Sequence, residues 1–388
     1  MMEIYVFFKN DQDVLIALYV DDLIVTGDND SVTDTCNRIQ QRFGDCQVKI
    51  DTSFNYLGMT FKIEGGKVGV KIELDKILVN INKSADTPAP GHLLVQAGNE
   101  QLLNDSHKEK FHSMVAKLLY IAKRTRPDIL LPVNFLCTRV QCPSMGDYLK
   151  LVRLLRYLYG TSNQSLVLSM NDAIDEQTTL HVYIDAAYGV HQDLKSHSGM
   201  VITLGEGAIL TMSTKQKCIS KSSTEAELIA VTDLLPEAFH LKKIIETITG
   251  KKVRIILYQD NMATISMIKN GAGGGRSKHI KIRFGWLKER LDDGDFEVEH
   301  KSTKLMLADG ATKPKQGMEF ESFKIGVGVK LHNQDTKERV EKSKILVVLD
   351  EDAFSNIDEF HDGSENIDED DVSDESADVA EEDWTGLD

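Results

Sequence analysis

Four carboxylates in this chain stand where carboxylates can do chemistry. Asp185 ends the alternating run Leu180-His181-Val182-Tyr183-Ile184, and Asp260 follows the apolar run Ile255-Ile256-Leu257-Tyr258-Gln259. Alternation and short apolar runs predict strands. Carboxylates at the carboxyl ends of strands face the crevice in which α/β sheets bind ligands. Taken singly, each Asp has a plainer explanation as a turn residue, and Asp260 would serve well as a helix cap. Glu227 sits in a helix predicted to start after Ser222. At about 100° per residue it falls within the stripe of Ala230, Val231, Leu234 and Leu235. A carboxylate on that side must be neutral, hydrogen-bonded, paired or bound to a metal. Asp309, in Leu307-Ala308-Asp309, completes the order strand, helix, strand end, helix; alone it would read as a surface residue. Hard divalent cations take oxygen ligands, and Mg²⁺ binds through a few carboxylates and the oxygens of a phosphate. Two such ions about 4 Å apart can activate water and stabilise the leaving oxygen of a phosphodiester.

The elements that position these groups follow from the same patterns. Strands are predicted over 180–185, 198–204 and 208–214, then a helix over 223–247 that contains Pro236. A strand (254–259), a helix (261–269), a Gly-rich loop (271–275), a helix (278–292), a strand (295–300) and a short helix (304–312) follow. Three adjacent strands and then alternating helices and strands predict an α/β (α+β) domain over 176–325, a mixed sheet with helices packed on it. Ser222-Ser223-Thr224-Glu225 fits a capping box, which gives Glu225 a structural task. Its side chain points about 200° away from that of Glu227.

Upstream, residues 1–85 read as strands and short helices, and residues 86–175 as a mainly helical region. Between 148 and 159, Leu151, Leu154, Leu155 and Leu158 share one helix face, with Lys150, Arg153 and Arg156 on the other. A solvated face is the plainer reading of those cations, a phosphate-tracking face the sharper one. Residues 326–349 form an extension of uncertain structure. The segment 350–388 holds 18 acidic residues and no Lys or Arg, a composition expected to stay disordered. Such a tail should compete electrostatically with nucleic acid.

The formal charge of −16 therefore misleads, because without the tail 45 basic residues face 43 acidic ones. Five scattered cysteines form no CxxC pair and no zinc-ligand spacing, which predicts reduced thiols in the cytoplasm or nucleus. No basic segment followed by an apolar run opens the chain, and the apolar stretch 14–20 is too short to span a membrane.

Tyr183-Ile184-Asp185-Ala186, Ser222-Ser223-Thr224-Glu225-Ala226-Glu227-Leu228, Tyr258-Gln259-Asp260-Asn261, Lys278-His279-Ile280 and Leu307-Ala308-Asp309 resemble, in that order, the RNase H domain of copia-type LTR retrotransposons. Thr312-Lys313-Pro314 and Gln316-Gly317 extend the resemblance, which covers about residues 178–325. It implies an RNase H-like fold and Mg²⁺-dependent cleavage, with Mn²⁺ as a substitute, of the RNA strand of RNA–DNA hybrids. Asp185, Glu227, Asp260 and Asp309 would be the metal ligands. Separately, Lys278, Arg283 and Lys288, with His279, are candidates for nucleic-acid contact from their place on the helix after the Gly-rich loop. Gly310 departs from the aliphatic residue usual in that family, and Lys281 from an acidic one. His300 is a candidate for assisting product release.

A second resemblance lies near the start. Tyr19-Val20-Asp21-Asp22, between the apolar runs 14–18 and 23–26, resembles the active-site hairpin of reverse transcriptases, whose aspartates hold metal. Tyr56-Leu57-Gly58 and Thr125-Arg126-Pro127-Asp128 also resemble copia-type sequence. Only 18 residues precede Tyr19, so the upstream metal-binding Asp of a full palm is absent from this chain and primer extension is not expected. The resulting reading is an RNase H endonuclease behind a partial palm. Its rivals are a non-catalytic relic or nucleic-acid-binding scaffold, and an integrase-like nuclease. The last would carry its Glu after both aspartates, whereas Glu227 precedes Asp260.

Overall fold

The computed structural model describes residues 5–9, 14–20, 22–44, 47–95, 100–170, 178–270, 278–331 and 344–349. It divides into two compact units, Met1–Glu73 with Gln334–Asp388, and Leu74–Asn333. In the first, β1 (Tyr5–Lys9), β2 (Val14–Tyr19) and β3 (Asp22–Gly27) form an antiparallel meander. The helix α1 (Asn29–Phe43) is capped by Asp28, whose carboxylate accepts from Asp30 N and Ser31 N. Its buried Val32 and Cys36 meet Val14 and Val25. β4 (Gln47–Asp51) follows, and β5 (Ser53–Tyr56), β6 (Met59–Glu64) and β7 (Lys67–Lys71) form a second meander. The motif Tyr56-Leu57-Gly58 is explained locally. Leu57 and Gly58 both have positive φ, 50° and 69°, as a two-residue hairpin turn between Tyr56 and Met59 requires.

In the second unit, α2 (Asp105–Arg124), α3 (Leu130–Cys137) and α4 (Met145–Gly160) come first. Ser144 and Asp147 close a full capping box on α4. At the other end of α4 lies a buried polar network. Arg126 donates to both Asp128 oxygens (2.9 and 2.8 Å) and to Thr161 Oγ1 (2.8 Å), and Tyr157 OH donates to Asp128 Oδ2 (2.6 Å). Thr125-Arg126-Pro127-Asp128 is thus a structural knot.

The basic side of α4 is not the solvated face expected of it. Arg153 donates to Thr87 O (3.2 Å) and Thr87 Oγ1 (2.8 Å), and Lys150 lies over the Phe135 ring, 4.7 Å from its centroid. The irregular stretch around Thr87 carries no periodic pattern, so nothing in the sequence showed that it covers this face.

After β8 (Ser165–Met170), the sheet that holds the carboxylates begins with β9 (Thr178–Ala187) and β10 (His197–Thr203). The two-residue β11 (Gly205–Glu206) pairs β8, and β12 (Ala208–Lys215) pairs β10. The long helix α5 (Ser223–Thr249) continues through Pro236. β13 (Val253–Gln259), α6 (Met262–Asn270), α7 (Lys278–Asp292) and β14 (Glu297–His300) complete the layer. The strand order is β12-β10-β9-β13-β14. β12, β10 and β9 are antiparallel, while β13 is parallel to β9 and β14 to β13. This is the mixed sheet of an RNase H-like fold.

Leu180, Val182, Ile184, Met200 and Ile202 meet Ala226, Ala230, Val231, Leu234 and Leu235 of α5 in one core. Ile280, Phe284 and Leu287 of α7 join it as the helical spacing predicts. The expected short helix 304–312 is instead two 3₁₀ turns, Thr303–Leu305 and Leu307–Ala311.

α8 (Gly317–Gly326) follows, and Gln316 at its start bonds to Thr87 Oγ1 (3.1 Å) and Ala89 O (2.9 Å). Phe320 of α8 meets the Tyr157 ring of α4 edge-on. The helices expected in 86–175 and the sheet expected in 176–325 therefore form one unit. Within it β15 (Val329–Lys330) pairs β8. The first unit is completed by β16 (Lys344–Leu349), antiparallel to both β3 and β4. The acidic segment 350–388 and the Gly-rich loop lie outside the described residues.

One buried pair in the sheet predicts a pH response. His191 Nε2 lies 3.0 Å from His197 Nδ1, and His197 Nε2 lies 2.8 Å from Ser213 Oγ. Burial lowers both pKa values from the ordinary 6.5, to about 4 for His191 and about 3 for His197. Lys215 lowers them further, and Asp193 and Lys195 also face His191. As pH falls below 6.5 the unfolded chain takes up protons that the folded chain refuses. Stability is therefore lost progressively from about pH 6.5 to about pH 3, at about 1.4 kcal/mol for each unit by which a histidine's pKa is lowered. Urea midpoints at pH 7.5, 6 and 5 should fall more steeply for the parent than for His197→Gln; equal slopes would refute this.

Candidate active site

The site is built at the carboxyl ends of β9 and β13 and the first turns of α5. Along β9 the even positions enter the core with α5, which puts His181, Tyr183 and Asp185 on the opposite pleat. α5 starts where Ser222 Oγ accepts from Glu225 N (3.2 Å). The Glu225 carboxylate accepts from Lys221 N (3.0 Å), one residue before the cap, so it ties the chain entering the helix as expected of a structural residue. Glu227 is buried two residues on, in the row of Ala226, Ala230 and Val231.

Carboxylate oxygens of Asp185, Glu227 and Asp260 all lie within 4.8 Å of one another. Asp185 and Glu227 are 1% and 5% exposed, so neither keeps a hydration shell. Burial raises the Glu227 pKa well above its ordinary value, and the charges of Asp185 and Asp260 raise it further. Asp185 is also raised, by burial first, although Lys313 opposes the shift. Three crowded carboxylates in a dry site cannot all ionise without a compensating cation. The donors are all oxygen, which fits a hard divalent ion.

Neighbours that the sequence did not single out orient them. Gln259 is fully buried; its amide nitrogen reaches Glu227 Oε2 (3.3 Å) and Ile184 O (3.4 Å). Its amide oxygen accepts from Asp260 N (2.9 Å) and Asn261 N (3.3 Å). Thr303 Oγ1 donates to Asp260 Oδ2 (2.8 Å), and Thr312 Oγ1 donates to Asp185 Oδ2. A buried polar residue directly before Asp260 was the available signal for Gln259.

The fourth expected ligand does not complete the group. Asp309 is buried but accepts from Lys313 (2.6 Å) and Lys315 (2.9 Å). Its pKa is lowered, because those two ammonium groups outweigh its burial. The segment carrying it presses on β10: a Cβ on Gly199 would lie 2.7 Å from Thr312 Cγ2 and 2.9 Å from Ala311 Cβ. Gly310 has a similar reason, since a Cβ there would overlap the Phe323 ring of α8.

Long stretches of this chain are similar in sequence to mobile-element proteins. The retrovirus-related Pol polyprotein from transposon RE1 of Arabidopsis thaliana is 30% identical over 343 residues, 84% of this chain and 22% of that protein. The corresponding polyprotein from transposon TNT 1-94 of Nicotiana tabacum is 29% identical over 345 residues, 83% of this chain and 25% of its own length. This chain is a homologue of copia/Ty1-type Pol polyproteins. The similarity extends to the Ty1-DR6 Gag-Pol polyprotein of Saccharomyces cerevisiae, 25% identical over 338 residues, 82% of this chain and 19% of that one. The chain spans a quarter or less of the length of these polyproteins. No family model matches it.

Among solved structures, LC11-RNase H1 isolated from compost is 13% identical and aligns over 34% of this chain and 92% of its own, with a TM-score of 0.27. The foamy viral protease-reverse transcriptase in complex with RNA/DNA hybrid is 13% identical over 65% of this chain and 29% of its own, with a TM-score of 0.37.

The remaining expected residues are dispersed. Arg283 bonds to Thr232 Oγ1 and Asp233 Oδ1 (2.5 Å), tying α7 to α5, and Lys288 pairs with Asp292. Lys278 is exposed at the start of α7, and the His279 side chain lies outside the described residues. His300 is exposed on β14, in register with Gln259. In the first unit Asp22 is buried opposite Tyr19 in the β2–β3 hairpin, whose turn holds Val20 at φ 53°. Asp21 lies outside the described residues. Among the described residues, no helix is long and apolar enough to cross a membrane.

Proposed function

We propose that this chain is an RNase H-type endonuclease that cleaves the RNA strand of RNA–DNA hybrids with Mg²⁺, or with Mn²⁺ in its place. The observation that carries the reading is the group of Asp185, Glu227 and Asp260, two of them buried, with their oxygens within 4.8 Å of one another. When bound there, a divalent ion would polarise water and neutralise charge on the scissile phosphate. Asp185, Glu227 and Asp260 would hold it.

Gln259 holds Glu227 and the Asp260 backbone in register, and Thr312 and Thr303 each engage one aspartate. Burial of Asp185 and Glu227 excludes water from their inner side, which strengthens every charge interaction in the site. The hybrid would be held mainly through its backbone and 2′-hydroxyls. Lys278 is an exposed cation of α7 suited to that task, whereas Arg283 and Lys288 would first have to leave Asp233 and Asp292.

The test incubates the full chain with a hybrid labelled on its RNA strand, beside duplex DNA and duplex RNA. Cleavage of the hybrid alone, in Mg²⁺ or Mn²⁺ and abolished by EDTA, is the expected result. Cleavage that persists in EDTA, or no cleavage by chain shown to be folded, would overturn the reading.

A further inference from the structure

The carboxylate centre has two unlike sides. On one, Asp185, Glu227 and Asp260 crowd together, and the polar side chains bonded to Glu227 and Asp260 there, Gln259 and Thr303, are uncharged. On the other, the Lys313 ammonium lies 2.6 Å from Asp309 Oδ1 and 3.3 Å from Asp185 Oδ2, so a single cation bridges two carboxylates. Lys315 approaches the other oxygen of Asp309 at 2.9 Å.

Lys313 is held there by its backbone as well as by charge. Its N–H donates to Asp309 O (2.9 Å), and the preceding Thr312 is fully buried and donates to Asp185. The following Pro314 disfavours a helical backbone at Lys313. An ammonium bridging two carboxylates stands where a cation shared by them would stand.

We propose that Lys313 takes the place of a second metal ion, so that the centre binds one divalent cation, at Asp185, Glu227 and Asp260. This rests on the metal-dependent reading above. Charge balance favours it. Four carboxylates carry four negative charges; Lys313 and Lys315 offset two, and one divalent ion offsets the rest. A second divalent ion between Asp185 and Asp309 would meet an ammonium at contact distance and would have to expel it. Lys313 is therefore a positioning residue that sets the number of ions held.

The test counts bound Mn²⁺ on the full chain by the loss of its free-ion paramagnetic resonance signal, at fixed pH and salt. The parent should bind one ion tightly, and Asp260→Asn should remove it. Lys313→Gln should gain a second ion, with at least a tenfold tighter second-site affinity than the parent. Lys313→Arg keeps the charge and should stay at one, as should Lys288→Gln, whose lysine pairs with Asp292. Two ions of similar affinity in the parent would overturn the inference, and this result does not depend on any variant folding. No second ion in a folded Lys313→Gln would overturn it as well. A parent that binds no Mn²⁺ would instead remove the metal-centred reading on which the inference stands.

Discussion

Glu227→Gln is expected to lower hybrid cleavage on the order of 10³-fold, the upper range for deleting one preorganised charged or polar group from an active site. The same change should leave the metal-free protein as stable as the parent, or more so. The two effects have one cause. Glu227 is 5% exposed and shares its site with Asp185 and Asp260, so its ionised form is costly unless a cation is present. Burial first, then those two charges, raises its pKa in the folded chain.

The sign follows from that shift. Below the ordinary carboxyl range Glu227 is neutral in both states, and the stability linked to its proton is fully present. As pH rises through 4.5 the unfolded chain ionises and the folded chain resists. Stability in EDTA is then lost until the raised folded pKa is passed. Gln cannot ionise, so melting curves of the variant and parent in EDTA should coincide near pH 4 and separate towards pH 8, with the variant higher. Full activity in Glu227→Gln, or a loss of stability equal at every pH, would show that Glu227 is a structural residue. Glu225→Gln is the paired control. Its carboxylate accepts from Lys221 N at the entry of the helix, so activity should persist with at most about 1 kcal/mol of cap energy lost.

Arg126→Met is expected to destabilise the second unit by about 3–5 kcal/mol, the usual consequence of removing one partner of a buried ion pair. Arg126 and Asp128 are 3% and 2% exposed and joined by two hydrogen bonds, with Tyr157 and Thr161 completing the network. Without the guanidinium, Asp128 keeps the Tyr157 hydroxyl but loses its counter-charge. The double variant Arg126→Met with Asp128→Leu should recover much of the loss, because neither charge is then buried alone. Urea unfolding with both variants tests this. A single variant within about 1 kcal/mol of the parent would mean that water reaches the network.

Local patterns carried a large part of this fold. The alternation of 180–184 places Asp185 on the pleat opposite the core, and the 3.6-residue stripe places Glu227 inward and Glu225 outward. The helix read over 278–292 spans those residues, since its apolar face recurs without interruption. These features depend on neighbours a few positions apart, and that information lies in the order of side chains.

What tertiary structure alone decided involves partners far apart in the chain. Arg153 meets Thr87, 66 residues away, and Thr312 meets Asp185, 127 residues away. No periodicity records such pairings. The basic face of α4 therefore read as solvated, although an irregular segment covers it. In the sequence Lys313 stands in a motif without a role of its own, Lys315 is not singled out, and Asp309 reads as a fourth ligand. Only the close approach of that segment to β10, which Gly199 permits by lacking a Cβ, brings a lysine between two carboxylates. Residue order determined which groups could ionise and which face of an element each would occupy. Folding determined which charges became neighbours, because Coulomb energy depends on distance in space and on exclusion of water, and both are set only when remote segments pack.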